Sequence, residues 1–325
     1  MEKGLKNVIV SEILRRIPGG VSSVNYLMNL LDLSSESVYR RIRGDIMFTF
    51  DEIVKLSLDL GLSVDELIGR DKTDRVFFDM VNDMSVGQGE SLSLLLNNMQ
   101  NYAVKVNKAD HTEAVVAMNQ LFAFMAIDLE LLFRFFSYKW AHQVREVPLN
   151  FYFSEYGLPA EFVSLQNKIK YHNRFSGDIT VILDQDIFLN TMKSIAYYYK
   201  RELITKNELT ALKSELHEVI DRMARIIYKG VDESGNKYFF YLSFLNIDSN
   251  SIFTRYGNNM VSHFWVYSVS PISVSNVDVC IMHKEWLGSL KKYSALISHS
   301  NEILQVEFFN KQYEYLEKIE DVLDI

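Results

Sequence analysis

The tract Ser34-Ser35-Glu36-Ser37-Val38-Tyr39-Arg40-Arg41-Ile42-Arg43-Gly44 constrains this chain more than any other eleven residues. It follows a short apolar helical segment, Val24 to Leu31, and a break at Asp32-Leu33. Val38 and Ile42 lie one turn apart and form the buried face of a second short helix. Ser35, Glu36, Tyr39, Arg40 and Arg43 are then free to point outward. Gly44 stands where that helix ends, and glycine enters the left-handed conformation of helix ends without a Cβ penalty. The flanks continue the pattern. A first helix is predicted over Leu5 to Ile17, closed by Pro18-Gly19-Gly20. Thr49-Phe50-Asp51-Glu52 is a capping box that opens a helix from Phe50 to Leu60, with Ile53, Leu56 and Leu60 on one face. Gly61 closes it. Ser63-Val64-Asp65-Glu66 is another capping box, opening a short helix that ends before Gly69. Residues 1–72 are therefore expected to form a compact bundle of five helices.

A helix, a short turn and a second helix with polar and basic outward positions is the arrangement that reads double-stranded DNA in the major groove. Short polar side chains near the start of the second helix reach base edges, and arginines toward its end reach phosphates. Residues 24–67 resemble the lambda-repressor-like (Cro/CI, Xre-type) helix-turn-helix domain. The resemblance rests on the Leu33-Ser34 turn, the Val38 and Ile42 core positions, Gly44 and the ending Leu62-Ser63-Val64-Asp65-Glu66-Leu67, spaced without a gap. Ser37 to Gly44 also resembles bacterial regulators that carry such a domain ahead of a long C-terminal region. The resemblance implies that Ser35, Glu36 and Tyr39 contact bases, and that Arg40, Arg41 and Arg43 lie beside phosphates. Ser37 belongs to the same implied DNA-binding helix. The chain departs from the family at Val24, where glutamine is frequent, and at Met28, where a small alanine is frequent. Glu36 is unusual on such a face, although a carboxylate accepts from the cytosine amino group.

Charge confines any nucleic-acid contact to a small area. The chain has 34 Lys+Arg against 42 Asp+Glu, a net charge of -8. Residues 1–72 hold 10 basic and 11 acidic side chains, so most of the negative balance lies beyond them. A general nucleic-acid coat is excluded, and a localised, salt-sensitive contact is expected. The chain is 48% hydrophobic, which supports a packed core rather than disorder. The single Cys280 excludes an internal disulfide framework and fits a reducing, cytoplasmic setting. No signal peptide is visible in residues 1–20. The most apolar stretch, Leu121 to Phe136, is interrupted by Asp128, Glu130 and Arg134 and is read as core, not as a membrane span.

Beyond a polar linker at Gly69 to Arg75, residues 73–325 are expected to form an α+β domain for dimerisation, signal sensing or both. Helices are predicted over Glu90 to Val106, Thr112 to Phe124 and Leu129 to Val144, grouping 88–145 as a helical subdomain. Leu149 to Phe153 and Ile179 to Leu183 are predicted strands, and Phe188 to Arg201 a helix. Thr205-Lys206-Asn207-Glu208 caps a further helix whose Leu209, Leu212, Leu216, Val219, Met223 and Ile226 follow heptad spacing. That seam is too short for a coiled coil, so an amphipathic helix lying on a core is favoured over a dimer seam. Lys237 to Ile247, Ile252 to Tyr256 and Val261 to Val269 are predicted as three consecutive antiparallel strands, with a fourth at Val277 to Met282. Helices over Lys284 to Ser298 and Asn301 to Leu323 close the chain. The expected fold class is mainly α with a small antiparallel sheet.

No catalytic set emerges. The seven histidines are scattered. Asp110-His111-Thr112-Glu113 is better explained by solvated polar residues than by a metal. Gly87-Gln88-Gly89 lacks the context of a phosphate loop. Cys280 near His283 is read as a buried structural thiol in an apolar strand. Tyr197-Tyr198-Tyr199-Lys200-Arg201 mixes aromatic and basic groups as single-strand binders do, but on a helix it splits into core and surface. The chain is thus expected to be a transcriptional regulator, not an enzyme, without cofactor or metal. It is expected to act as a homodimer and to answer to a small-molecule or protein effector, if any. The rival readings are a protein-interaction module that uses the same helices on a protein partner, and an enzyme housed in the C-terminal domain.

Overall fold

The computed structural model describes residues 2–324 except 19, 63–75, 81–87, 110, 145–146, 172–176 and 267–269. The chain divides into two compact units, Met1–Phe77 and Phe78–Ile325. The described part of the first unit is a bundle of four helices: α1 (Glu2–Arg16), α2 (Ser23–Leu31), α3 (Ser35–Ile42) and α4 (Phe50–Leu60). The predicted helix after Ser63 and the polar linker at Gly69 to Arg75 lie outside the described residues. Ile13, Leu27, Val38 and Leu56, one from each helix, are at most 2% exposed and meet in a single core. Gly61 ends α4 in the left-handed conformation at φ 64°, as its position in the sequence predicts.

The second unit is built on a sheet larger than expected and of mixed direction. Its strands are β1 (Asp79–Met80), β2 (Thr112–Met118), β3 (Asp178–Leu183), β4 (Lys237–Ser243), β5 (Ser251–Tyr256), β6 (Asn259–Trp265), β7 (Pro271–Val274) and β8 (Ser294–Leu296). They lie in the order β1-β7-β6-β5-β2-β3-β4-β8. β3 pairs in parallel with β2 and β4, and every other pairing is antiparallel. The expected small antiparallel sheet is therefore corrected to an eight-stranded mixed sheet. Parallel neighbours need long crossover connections, and helices supply them. α5 (Gln88–Asn107) precedes β2; α6 (Glu130–Val144) and α7 (Phe162–Tyr171) connect β2 to β3. α8 (Ile187–Lys200) and α9 (Lys206–Lys229) connect β3 to β4, and α10 (Val277–Lys292) and α11 (Glu302–Glu317) follow the hairpins.

Strand periodicity divides the core into two layers. Ile179, Val181 and Leu183 of β3 join Val116, Met118, Phe240 and Leu242 in the large core beneath α6, α8, α9 and α11. Ile182 and Ala117 point the other way, toward Cys280, Leu287 and Leu290 of α10. The heptad residues of α9 turn inward: Leu209, Leu212, Leu216, Val219 and Met223 are buried in the large core. The amphipathic reading of that helix, rather than a dimer seam, is the one the packing follows.

Several local expectations fail for identifiable reasons. Thr112 to Met118 is a strand rather than a helix, and it sits in the middle of the sheet, so 88–145 is no separate helical subdomain. A strand covered on both faces is apolar nearly throughout and loses the alternation that marks strands in a sequence. Leu149 to Phe153 is not a strand: the Phe151 N–H closes a turn onto the Pro148 carbonyl, and a 3₁₀ turn follows at Phe153–Glu155. Val277 to Met282 is the start of α10, capped by Asn276, whose Oδ1 accepts from the Val279 N–H at 3.1 Å. Cys280 is accordingly on a helix, fully buried, with its thiol 3.4 Å from the Val274 carbonyl. Lys237 to Ser243 does not join the hairpins, because β2 takes the place beside β5 and β4 pairs with β3.

α10 is held to the sheet partly through His283. Its Nδ1 lies 2.9 Å from Ser262 Oγ and its Nε2 lies 3.0 Å from Ser251 Oγ, so both ring nitrogens are engaged. Burial pushes this imidazole down to about 4 from an ordinary 6.5. Burial, and after it the neighbouring His283, push His263 down to about 4 as well. Both rings are thus neutral in the folded protein, while the unfolded chain protonates them first. Their contribution to stability is complete above pH 6.5 and is lost as pH falls toward 4. Thermal unfolding should therefore shift to lower temperature between pH 7 and pH 5, above the range in which carboxylates titrate. His283→Gln should lower the melting temperature at pH 7 and reduce that slope; an unchanged slope in His283→Gln would remove this residue from the linkage.

Candidate nucleic-acid interface

The local sequence explains why α3 presents one face and hides the other. α2 ends at Asp32, which takes the left-handed conformation at φ 55° while its N–H reaches the Met28 carbonyl. Leu33 also donates to Met28 O, at 3.2 Å, so the chain reverses within three residues. Ser34 then caps α3, its Oγ accepting from the Ser37 N–H at 3.4 Å. Val38, with no exposed surface, fixes the rotation of the helix about its own axis. Ile42, one turn later, is partly buried against the same core.

With that rotation set, the residues named from the sequence fall into two groups. Ser35, Glu36, Tyr39, Arg40 and Arg43 are exposed and share the outward face. Tyr39 is 52% exposed, so its ring stands off the core. Arg40 has no ion pair or hydrogen bond among the described residues. Arg43 makes a surface pair with Asp45 at 3.2 Å, a contact of small energetic weight that a competing anion displaces readily. Ser37 and Arg41 are drawn to the side. The Ser37 hydroxyl is 3.1 Å from Ser34 Oγ. Arg41 forms a two-pronged pair with Glu52: Nε to Oε2 at 2.8 Å and Nη2 to Oε1 at 2.7 Å. The two side chains are only 11% and 13% exposed, so this pair lies inside the bundle.

Glu52 joins two elements at once. Besides Arg41, its carboxylate accepts the Thr49 N–H at 2.9 Å, completing the capping box of α4. Burial alone would raise its pKa, but the hydrogen bonds from Arg41 and the Thr49 backbone, with the Arg41 charge, outweigh that and hold it below the usual carboxylate range. Arg41 also donates to the Ser37 carbonyl at 3.3 Å. The capping box was legible in the sequence; its use as an anchor for α3 was not, because eleven residues and a loop separate the partners.

Sequence reasoning also missed Lys6. Gly44 ends the tract at φ 79°, and a Cβ added there would stand 2.8 Å from Lys6 Cε. The lysine stem of α1 therefore lies against the turn after α3 and brings a cation to Gly44, the residue after Arg43. Neighbouring helices are tied by further polar contacts. Tyr26 of α2 donates to Asp59 of α4, and Arg16 of α1 donates to the Gly61 carbonyl.

Elsewhere the weak motifs resolve as structure. Glu113 pairs with Arg255 at 2.8 Å and Lys284 at 2.7 Å. Tyr198 is buried while Tyr197 is exposed beside Arg201. Among the described residues there is no group of three or more His, Cys, Asp or Glu that could hold a metal ion. Among them, too, no helix is long and apolar enough to cross a membrane. Comparison with family models, curated proteins and solved structures yields no match to the chain.

Arg41 and Glu52 yield a prediction that separates them from the outward arginines. Arg41→Ala or Glu52→Gln should each destabilise the protein by about 2 kcal/mol, since each leaves a charged or polar partner buried without its hydrogen bonds. Because the folded pKa of Glu52 is depressed, its contribution is complete above the ordinary value of 4.5 and disappears as pH falls through the folded value. The stability gap between the parent chain and Glu52→Gln should therefore shrink in acid. A gap that stays constant from pH 7 to pH 3 would show that the carboxylate charge contributes nothing.

Proposed function

We propose that this chain is a sequence-specific, double-stranded-DNA-binding transcriptional regulator that inserts α3 into the major groove. The observation that carries the reading is the division of α3 into two faces. Val38 and the Arg41–Glu52 pair hold the inner face, while Ser35, Glu36, Tyr39, Arg40 and Arg43 are left together on the outer one. Near the helix start, Ser35 and Glu36 are short enough to meet base edges, with Glu36 as an acceptor for a cytosine amino group. Tyr39 offers a ring and a hydroxyl one turn on. Arg40 and Arg43, with Lys6 nearby, face the phosphates. Arg41, implied by the family resemblance as a phosphate neighbour, instead supports the helix from behind, because its charge is paired with Glu52 in an enclosed bidentate contact.

One eight-residue helix reads few base pairs, so the proposal includes a homodimer that places two copies of α3 on paired half-sites. The larger unit, residues 78–325, is assigned the tasks of dimerisation and of sensing an effector. A cytoplasmic, DNA-associated protein without catalytic activity is the corresponding picture.

Selection of bound sequences from a random duplex library by the full-length protein tests this directly. A two-fold symmetric motif is the expected result. No enrichment from folded protein at low salt would overturn the proposal in favour of a protein-binding use of the same helices. Arg40→Ala and Arg43→Ala should weaken binding to all sequences and lower the slope of log K against log salt by about one unit per lost phosphate contact. Arg41→Ala, measured where it remains folded, should leave that slope unchanged. Substitutions at Ser35 or Glu36 should change the preferred base pair instead, by roughly 1–3 kcal/mol at one position.

A further inference from the structure

The larger unit holds a charged group whose position the fold by itself does not explain. Arg134 lies on α6, one turn after Glu130. Its guanidinium carbon sits 4.4 Å over the centre of the Phe153 ring, a cation–π contact. The side chain is partly covered, and its Nε is fully enclosed with no hydrogen-bond partner. Among the described residues, no carboxylate pairs with it. An arginine partly drawn out of water normally acquires an anion, since an uncompensated charge there is destabilising. Among the described residues, the other arginines enclosed to a similar degree have one: Arg41 has Glu52, Arg15 and Arg16 have Glu12, and Arg222 has Asp128.

Arg134 also borders an open cleft of about 290 Å³. Leu158, Pro159, Phe162 and Val163 form its apolar wall, and Glu130 is the second charged group on its lining. Phe162 is fixed from behind by stacking on Phe133 at 4.9 Å. Val163 is 61% exposed and lines the open side of the cleft. The cleft is at the small end of ligand sites, so its occupant is a small molecule rather than a polypeptide segment.

We infer that this cleft binds a small zwitterion with an apolar body, of the class of the apolar α-amino acids, with its carboxylate on Arg134 and its amine toward Glu130. The guanidinium supplies planar donors that match a carboxylate. Glu130, exposed and one helical turn away, supplies the opposite charge for the ammonium. The wall of Leu158, Phe162 and Val163 takes the side chain. A simple anion would meet Glu130 as a repulsive neighbour, and a simple cation would meet Arg134 likewise; a zwitterion satisfies both. This assignment stands whether or not α3 reads DNA, because it concerns only residues of the larger unit.

Calorimetric titration of the full chain with L-leucine and L-phenylalanine tests it, with 3-phenylpropionate and phenethylamine as probes lacking the amine or the carboxylate. Saturable binding of at least one amino acid is expected, with both single-charge probes bound at least tenfold more weakly. Arg134→Gln should abolish binding, and Glu130→Gln should weaken it while leaving affinity for 3-phenylpropionate intact or improved. Gly157→Leu provides a variant that spares the fold. Gly157 lines the same cleft, and a Cβ added there meets nothing within 4 Å. The new side chain should fill the cleft and block the amino acid while the melting temperature stays near that of the parent. Absence of saturable binding by both amino acids would overturn the inference, leaving Glu130 to close on Arg134 as an ordinary helix pair. Binding that survives both Arg134→Gln and Gly157→Leu would overturn it too, since the ligand would then occupy another place. Equal affinity for 3-phenylpropionate would overturn the zwitterion assignment.

Discussion

Parallel pairing of β3 with both β2 and β4 is the constraint on which the larger unit depends. Two parallel neighbours cannot be joined by tight turns, so the chain must cross the sheet twice through helices. Those crossings place α6, α8 and α9 over one face, with α11 returning beside them, and the single helix α10 covers the other face. Everything else in the unit attaches to this frame. The β5–β6–β7 hairpins extend the sheet from β2, and β8 closes it beyond β4. The Glu130–Arg134 cleft exists because α6 begins its crossing there, capped from behind by Glu215, whose carboxylate accepts the Leu131 and Leu132 N–H groups. With those two donors satisfied by Glu215, the start of α6 is fixed, and the one-turn spacing of Glu130 and Arg134 is fixed with it.

The smaller unit obeys a different logic, because an eight-residue helix is too short to be stable on its own. α3 depends on Ser34 at its start, Val38 at its centre and Arg41 near its end. Each anchor removes one freedom. The cap fixes where the helix begins, the buried valine fixes its rotation, and the ion pair to Glu52 fixes its distance from α4. What is left over, the outer face, contributes almost nothing to holding the bundle together. Side chains that pack against nothing can change without cost to the fold.

The legible parts of the chain were those governed by local rules. Capping boxes at Thr49 and Thr205 opened helices in the structure, because a side chain three residues from its partner needs no tertiary information. The outward positions of α3 followed from the spacing of Val38 and Ile42. Partners distant in sequence were not legible. Arg41 finds Glu52 across a loop, Lys6 reaches Gly44 from another helix, and β2 finds β3 across some sixty residues. The strand β2 failed on composition as well: Ala114-Val115-Val116-Ala117-Met118 is apolar throughout because both of its faces are covered, and two alanines and a methionine favour a helical reading. Glu130 and Arg134 were noted only as interruptions of an apolar stretch. Their meaning lies in what surrounds them, and Phe153, Gly157 and Phe162 come from elements that the sequence did not place nearby.

The arginines of this chain show why residue type alone is a poor guide to function and environment a good one. Arg41 is enclosed, bidentate to a carboxylate and bonded to the Ser37 carbonyl, so its charge is already paired and its loss is expected to be felt as lost stability. Arg40 and Arg43 are solvated, so they cost the folded state nothing and can give their full charge to an anion at little desolvation penalty. Arg134 stands between these limits. It has left part of its hydration behind, has gained a ring face, and has not gained an anion. A carboxylate arriving there recovers an interaction that water no longer supplies in full, at a lower local dielectric than at the surface, so each hydrogen bond it forms is stronger than the same bond to Arg40. On the proposed function, Arg40 and Arg43 suit a polyanion bound by many weak, salt-sensitive contacts, whereas the inferred ligand of Arg134 is a single small molecule bound by a few directed ones.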